Sequence, residues 1–221
     1  MQQILLINPN TSADTTAMMA AIARACIPDD VAVIGATATR GPPMIVTPQA
    51  LAAAADEVVE IGIREAAAVA GIIVGAFGDP GLETLRAKVS VPVVGICEAS
   101  MLEAAAGGRR FGIATVTPEL IEPIAERARD LGLSHLFAGI RLTPGDPLEL
   151  TRDPARLQQR LAAAVAQCFG DDGAEAVIIG GGPLGQAATA LAHSFGRPII
   201  APIPAAVARL LAMRRECAAF G

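Results

Sequence analysis

The sequence predicts an α/β protein of two pseudo-symmetric lobes, each a parallel sheet clad in helices, with a cleft between them. Three observations carry this: the alternation of apolar runs, the make-up of the core, and an internal repeat. The alternation places strands over 4–8, 31–36, 71–76, 92–96, 111–115, 136–140, 176–180 and 198–201. Helices fall between them over 13–26, 48–68, 80–89, 98–106, 118–131, 154–169, 184–194 and 204–219. Strands separated by helices of about ten residues form βαβ units with parallel strands. Pro48, Pro80, Pro118, Pro154 and Pro204 stand at predicted helix starts, where a missing N–H breaks no bond. Hydrophobic residues make up 52% of the chain and aromatics 3%, with no Trp or Tyr. Such a core is built from Ala, Val, Ile and Leu, which suits strands buried on both faces.

The repeat divides the chain near Gly107-Gly108 into halves, 1–107 and 108–221. Ile72-Ile73-Val74-Gly75 leads through a Gly-rich turn and a short helix to Val91-Pro92-Val93-Val94. Val177-Ile178-Ile179-Gly180 leads in the same way to Arg197-Pro198-Ile199-Ile200. Upstream of each, the segments 5–11 and 111–117 are alike in kind, an apolar strand ending in small polar residues that can cap a helix. Paired lobes of this type bring the loops at the carboxyl ends of both sheets to one cleft.

A net charge of −5, a single Lys (Lys88) and basic pairs only at Arg109-Arg110 and Arg214-Arg215 argue against a nucleic-acid surface. No apolar run reaches the roughly 18 residues that span a bilayer, and the N-terminus carries no basic segment ahead of Ile4. The expectation is a cytoplasmic chain with no membrane partner. Cys26, Cys97, Cys168 and Cys217 form no CxxC pair, and with only His135 and His193 beside them they predict free thiols and no metal.

Four strand-to-helix loops face the predicted cleft. In the first, Asn8, Asn10, Thr11 and Ser12 crowd amides and hydroxyls ahead of a helix, more than a cap needs, which suits a carboxylate or imide oxygen. The second runs from Gly75 through Ala76, Phe77, Gly78 and Asp79 to Gly81, and its glycines free backbone amides for an oxyanion. Asp79 reads there as a helix cap or as a site carboxylate. The third offers Thr115 and Thr117 as helix cap or ligand contact. The fourth, with Gly180, Gly181, Gly182 and Gly185, fits G-x-G-x-x-G, but no acidic residue ends the next strand and Pro183 removes an amide. That argues against a dinucleotide. The apolar segment 41–47 is expected to close over the cleft, with 143–147 as its counterpart.

Three stretches carry a resemblance: Ile7-Asn8-Pro9-Asn10-Thr11-Ser12, then Phe77-Gly78-Asp79-Pro80-Gly81-Leu82, then Val91 to Ile96 followed by Glu98-Ala99. In order and spacing the chain resembles the aspartate/glutamate/hydantoin racemase superfamily, in its hydantoin and allantoin racemase-like branch. The resemblance implies two racemase-like lobes with the active site between them, a small-molecule substrate, no cofactor and a homo-oligomer. It also implies a pair of cysteines, one per lobe, that remove and return a proton α to a carbonyl. Here the first of those positions is Ala76. The second, in a stretch resembling Leu-Gly-Cys-(Ala/Gly)-Gly-Met, is Gly181. Two readings stay open: an isomerase using Cys97, Glu98 or Asp79 as its base, or a non-catalytic small-molecule binding protein on the same scaffold. On either, Asn8, Asn10, Thr11, Ser12, Ala76, Phe77, Thr115, Thr117, Gly181 and Gly182 are the expected ligand contacts.

Overall fold

The computed structural model describes residues 2–219, and side chains through residue 215. The side chain of Cys217, named above, lies outside what is described. Eight strands fall where the apolar runs predict them. β1 (Gln2–Asn8), β2 (Val31–Thr37), β3 (Ile72–Val74) and β4 (Val93–Gly95) form one sheet in the order β2-β1-β3-β4. β5 (Phe111–Thr115), β6 (Phe137–Leu142), β7 (Ala176–Gly180) and β8 (Ile199–Ile200) form the second in the order β6-β5-β7-β8. Every pairing is parallel, and the two orders are the same pattern repeated.

That order fixes where a ligand belongs. From β1 the chain steps to one side to make β2, then returns to the other side for β3. β5, β6 and β7 repeat the move. Ligands of open parallel sheets sit at such reversals, outside the carboxyl ends of the two central strands. The loops after β1, β3, β5 and β7 are the four that the sequence singles out.

The helices are α1 (Ala13–Arg24), α2 (Pro48–Glu65), α3 (Leu82–Arg86), α4 (Ile96–Ala104), α5 (Ile121–Asp130), α6 (Pro147–Leu150), α7 (Pro154–Gly170), α8 (Gly185–Ala192) and α9 (Pro202–Ala219). Pro48 and Pro154 begin their helices behind side-chain caps: the Thr47 hydroxyl accepts the Ala50 N–H, and the Asp153 carboxylate accepts that of Arg156. Pro80 does not; α3 starts two residues later, behind Gly81 in the left-handed region (φ 72°). α9 starts at Pro202, ahead of the predicted Pro204. α6 was not predicted. It is a single turn nucleated by Asp146, whose carboxylate accepts the N–H groups of Leu148 and Glu149 at 2.8 and 3.0 Å.

One core cluster runs through both sheets. It joins Ile4, Leu6, Ile73 and Val94 of the first to Phe111, Ile113, Ile178 and Ile200 of the second. α9 extends it: Ile203, Val207 and Leu210 are buried, and the helix packs on α4, α1 and β4 as well as β7. The last helix of the chain therefore returns to the first sheet. Among the described residues no helix is long and apolar enough to cross a membrane.

Candidate functional site

The loop after β1 is a knot of local hydrogen bonds. The Asn8 side-chain amide donates to Asn10 Oδ1 (2.9 Å), the Ser12 carbonyl (3.0 Å) and Thr16 Oγ1 (2.9 Å). Asn8 Oδ1 accepts the Asn10 N–H, and Ser12 Oγ caps α1 by accepting the Thr15 N–H. Asn8, Thr11 and Ser12 thus build the loop but do not line the cavity. Asn10 does line it, in a fixed orientation: its Oδ1 is held by Asn8 Nδ2 and by the Ser12 N–H at 2.9 Å. With the oxygen engaged, the Asn10 NH2 has no acceptor among the described residues and is left as a donor toward the cleft.

The loops after β3 and β7 meet across the same space. Ala76, Phe77, Gly181 and Gly182 all line it, together with Thr117 from the loop after β5. The N–H groups of Ala76, Phe77 and Gly181 find no acceptor among the described residues. Gly182 permits the close approach of the lobes, since a Cβ there would lie 2.5 Å from Met19 Sδ and 3.0 Å from the Gly75 carbonyl oxygen. Gly181 sits at φ 156°, ψ 132°, and a Cβ on it would lie 3.0 Å from the Leu184 side chain. The bare position is thus built into the backbone and filled by a neighbour. Thr115 stands behind the lining, its hydroxyl donating to the Gly180 carbonyl at 2.7 Å and tying the third loop to the fourth.

The cavity holds about 80 Å³. The segment 41–47 does cover it, through Met44 and Ile45, and the Pro42 carbonyl is tied to the Thr11 N–H at 3.1 Å. Leu51, Val116, Leu120 and Leu184 complete an apolar wall. Sequence reasoning named none of the four as a contact, although Val116 and Leu184 lie in loops it singled out; Leu51, one turn into α2, could have been found because α2 follows the covering segment directly. From the expected counterpart, 143–147, no residue reaches the cavity. Thr151, just past α6, does, with its hydroxyl spent on the Pro147 and Leu148 carbonyls. No ionisable side chain lines the cavity among the described residues.

Asp79, Cys97 and Glu98 are brought together, but beneath the cleft and not on its surface. Asp79, a non-glycine residue at positive φ (52°), accepts the Cys97 N–H on Oδ1 at 2.9 Å and the Glu98 N–H on Oδ2 at 2.7 Å. It is the cap of α4, reached from another loop. Burial pushes its carboxyl up to about 7, against the pull of those two N–H donors and of Arg127, whose Nη2 is 3.8 Å away. The Cys97 thiol is fully buried, and burial, reinforced by Asp79, raises it well above the ordinary thiol value. That works against the thiolate a base would need. Glu98 is bound in bidentate fashion by Arg86 (2.9 Å twice), with Arg127 at 3.4 Å and Arg209 at 3.7 Å. Arg86 of α3 and Arg127 of α5 hydrogen-bond its oxygens, and Arg209 of α9 adds a third guanidinium at ion-pair distance.

A two-lobed α/β scaffold with its cavity at paired sheet reversals is the architecture of a racemase fold, and the chain belongs to the Asp/Glu/Hydantoin racemase family, whose model matches residues 4–210. Within it, the chain falls in the hydantoin and allantoin racemase-like branch. It is 30% identical over 211 residues to a hydantoin racemase of Rhizobium meliloti, covering 92% of this chain and 85% of that one. An allantoin racemase from Klebsiella pneumoniae superposes with a TM-score of 0.92 at 27% identity, covering 98% of this chain and 89% of the other. An allantoin racemase from Pseudomonas fluorescens gives 0.92 at 25% identity, over 97% and 92%.

Proposed function

We propose that the interlobe cleft binds a small cyclic ureide through its carbonyl oxygens, and does so without the two-thiol proton transfer of the racemases. The observation that carries this reading is the one-sided chemistry of the lining. It presents N–H donors from both lobes and from Asn10, the Thr117 hydroxyl, an apolar wall and no ionisable side chain. The carbonyl oxygens of an uncharged ring fit such donors, and each N–H···O bond contributes on the order of 1 kcal/mol. A free amino acid would leave its ammonium without a counter-charge, which is unfavourable in a partly closed site. The names of the hydantoin and allantoin racemase relatives support the ring class. Ala76 and Gly181 stand at the two thiol positions and move no proton. Asp79, Cys97 and Glu98 then act as positioning groups that hold the second loop against α4. A cytoplasmic homo-oligomer needing no cofactor completes the reading, and half-exposed β6 at its sheet edge suits contact with a second copy.

The test joins calorimetric titration with proton NMR in deuterated buffer, using hydantoin, 5-methylhydantoin, allantoin, aspartate and glutamate. Saturable binding of the rings alone, with no loss of the C5–H signal above the buffer rate, supports the reading. Enzyme-dependent exchange at C5 would overturn its non-catalytic part. Failure of every ring to bind would overturn it whole.

A further inference from the structure

A second cavity, of about 180 Å³, opens between α1, α7 and α8. Thr151, Pro183 and Leu184 line both it and the cleft, so the two spaces share a sill. Beyond that sill the groove is walled by Met18, Leu157 and Ala187, and exposed Gln158 and Gln186 stand at its rim. Among the described residues no ionisable side chain lines it. The sill owes its position to Gly181: the Leu184 side chain lies 3.0 Å from where a Cβ on residue 181 would stand. A larger residue at 181 would push Leu184 off the sill.

Resting on the ureide reading of the cleft, we infer that this groove is a specificity subsite for the substituent on the ring: an uncharged, largely apolar chain that leaves the cleft over Leu184. Three features support it. The groove begins where the cleft ends. Its walls are apolar, and burying a methylene against such walls contributes about 0.8 kcal/mol, or roughly fourfold in affinity. Its neutral carboxamide rim can hydrogen-bond a polar chain end but offers no counter-charge to a charged one, whose desolvation then goes uncompensated. The groove thus selects among ring ligands that the cleft alone treats alike.

The experiment is a calorimetric series with hydantoin and its 5-methyl, 5-propyl, 5-pentyl and 5-(2-carboxyethyl) derivatives, on the unaltered chain and on Ala187→Glu and Met18→Gln. Ala187 and Met18 are only half-buried, so neither change opens the core. On the unaltered chain, affinity is expected to rise about two- to fourfold per methylene from methyl to pentyl, while the carboxyethyl compound gains nothing. In Ala187→Glu the pentyl-to-methyl ratio should fall to near one, and in Met18→Gln it should shrink. Rings that bind without a chain-length gradient, or with one that both variants retain, would overturn the subsite and leave the cleft reading standing. If no ring binds at all, the cleft reading and the subsite fall together.

Discussion

Asn10 shows how one residue can both build a loop and line the cavity beside it. Its oxygen is used up inside the loop by Asn8 and the Ser12 N–H, which turns its NH2 toward the cleft. Asn10→Asp keeps the oxygen and its two bonds but replaces the donor with a second carboxylate oxygen. Hydantoin affinity should then fall about tenfold or more in calorimetry, with thermal stability little changed, since an acceptor would face an acceptor. Asp79 makes a prediction of another kind. Its carboxyl is raised to about 7 in the folded chain and titrates near 4 when unfolded. Between those values the folded state holds a proton that the unfolded state has released. This group's contribution is therefore fully present below about pH 4, declines as pH rises toward 7, and is flat above. In Asp79→Asn, urea midpoints measured from pH 4 to 7 should lose that decline, whatever the variant's absolute stability. A wild-type-like decline in the variant would assign the pH dependence elsewhere.

At the scale of elements, α4 depends on a contact from outside itself. It follows β4 without a turn, and Gly95, its N-cap position, makes no side-chain bond. Asp79 supplies the cap from 18 residues upstream of Cys97. Gly95 is what lets it in: a Cβ there would lie 2.2 Å from Asp79 Cγ. Gly95→Ala should thus displace the carboxylate from both N–H groups and destabilise the fold by about 3 kcal/mol or more, read as a lower urea midpoint at unchanged slope. This is also why α4 begins at Ile96 and not at the expected residue 98. Sequence periodicity registers caps that are local, such as Thr47 and Asp153, but not one delivered by a distant loop.

At the scale of the molecule, the two sheets share one hydrophobic core. The core cluster is continuous across both sheets, and α9 closes it from the second half onto the first. Ile203, Val207 and Leu210 together represent about 5–9 kcal/mol of burial, comparable to the net stability of a domain. A chain ending at residue 201 is therefore expected to lose the cooperative urea transition altogether, in contrast to the single coincident transition of the full chain by circular dichroism and by size. Two separate transitions in the full chain would show instead that the lobes fold independently.

Much of this architecture was legible in the sequence, because strand and helix periodicity, Gly-rich turns and the internal repeat are local signals read residue by residue. They placed all eight strands, the repeated topology and the four loops, and so located the cleft and, of its lining, Asn10, Ala76, Phe77, Thr117, Gly181 and Gly182. The tertiary structure decided what depends on chain segments meeting at a distance. It put Asn8, Thr11, Ser12 and Thr115 into the scaffold behind the lining. It engaged Glu98 with arginines from three helices and spent Asp79 on the cap of α4. It built the apolar walls from Leu51, Leu120 and Leu184, and carried α9 back to the first sheet. Side-chain type states which bonds a residue can make; only the packed chain determines which partner arrives first to make them.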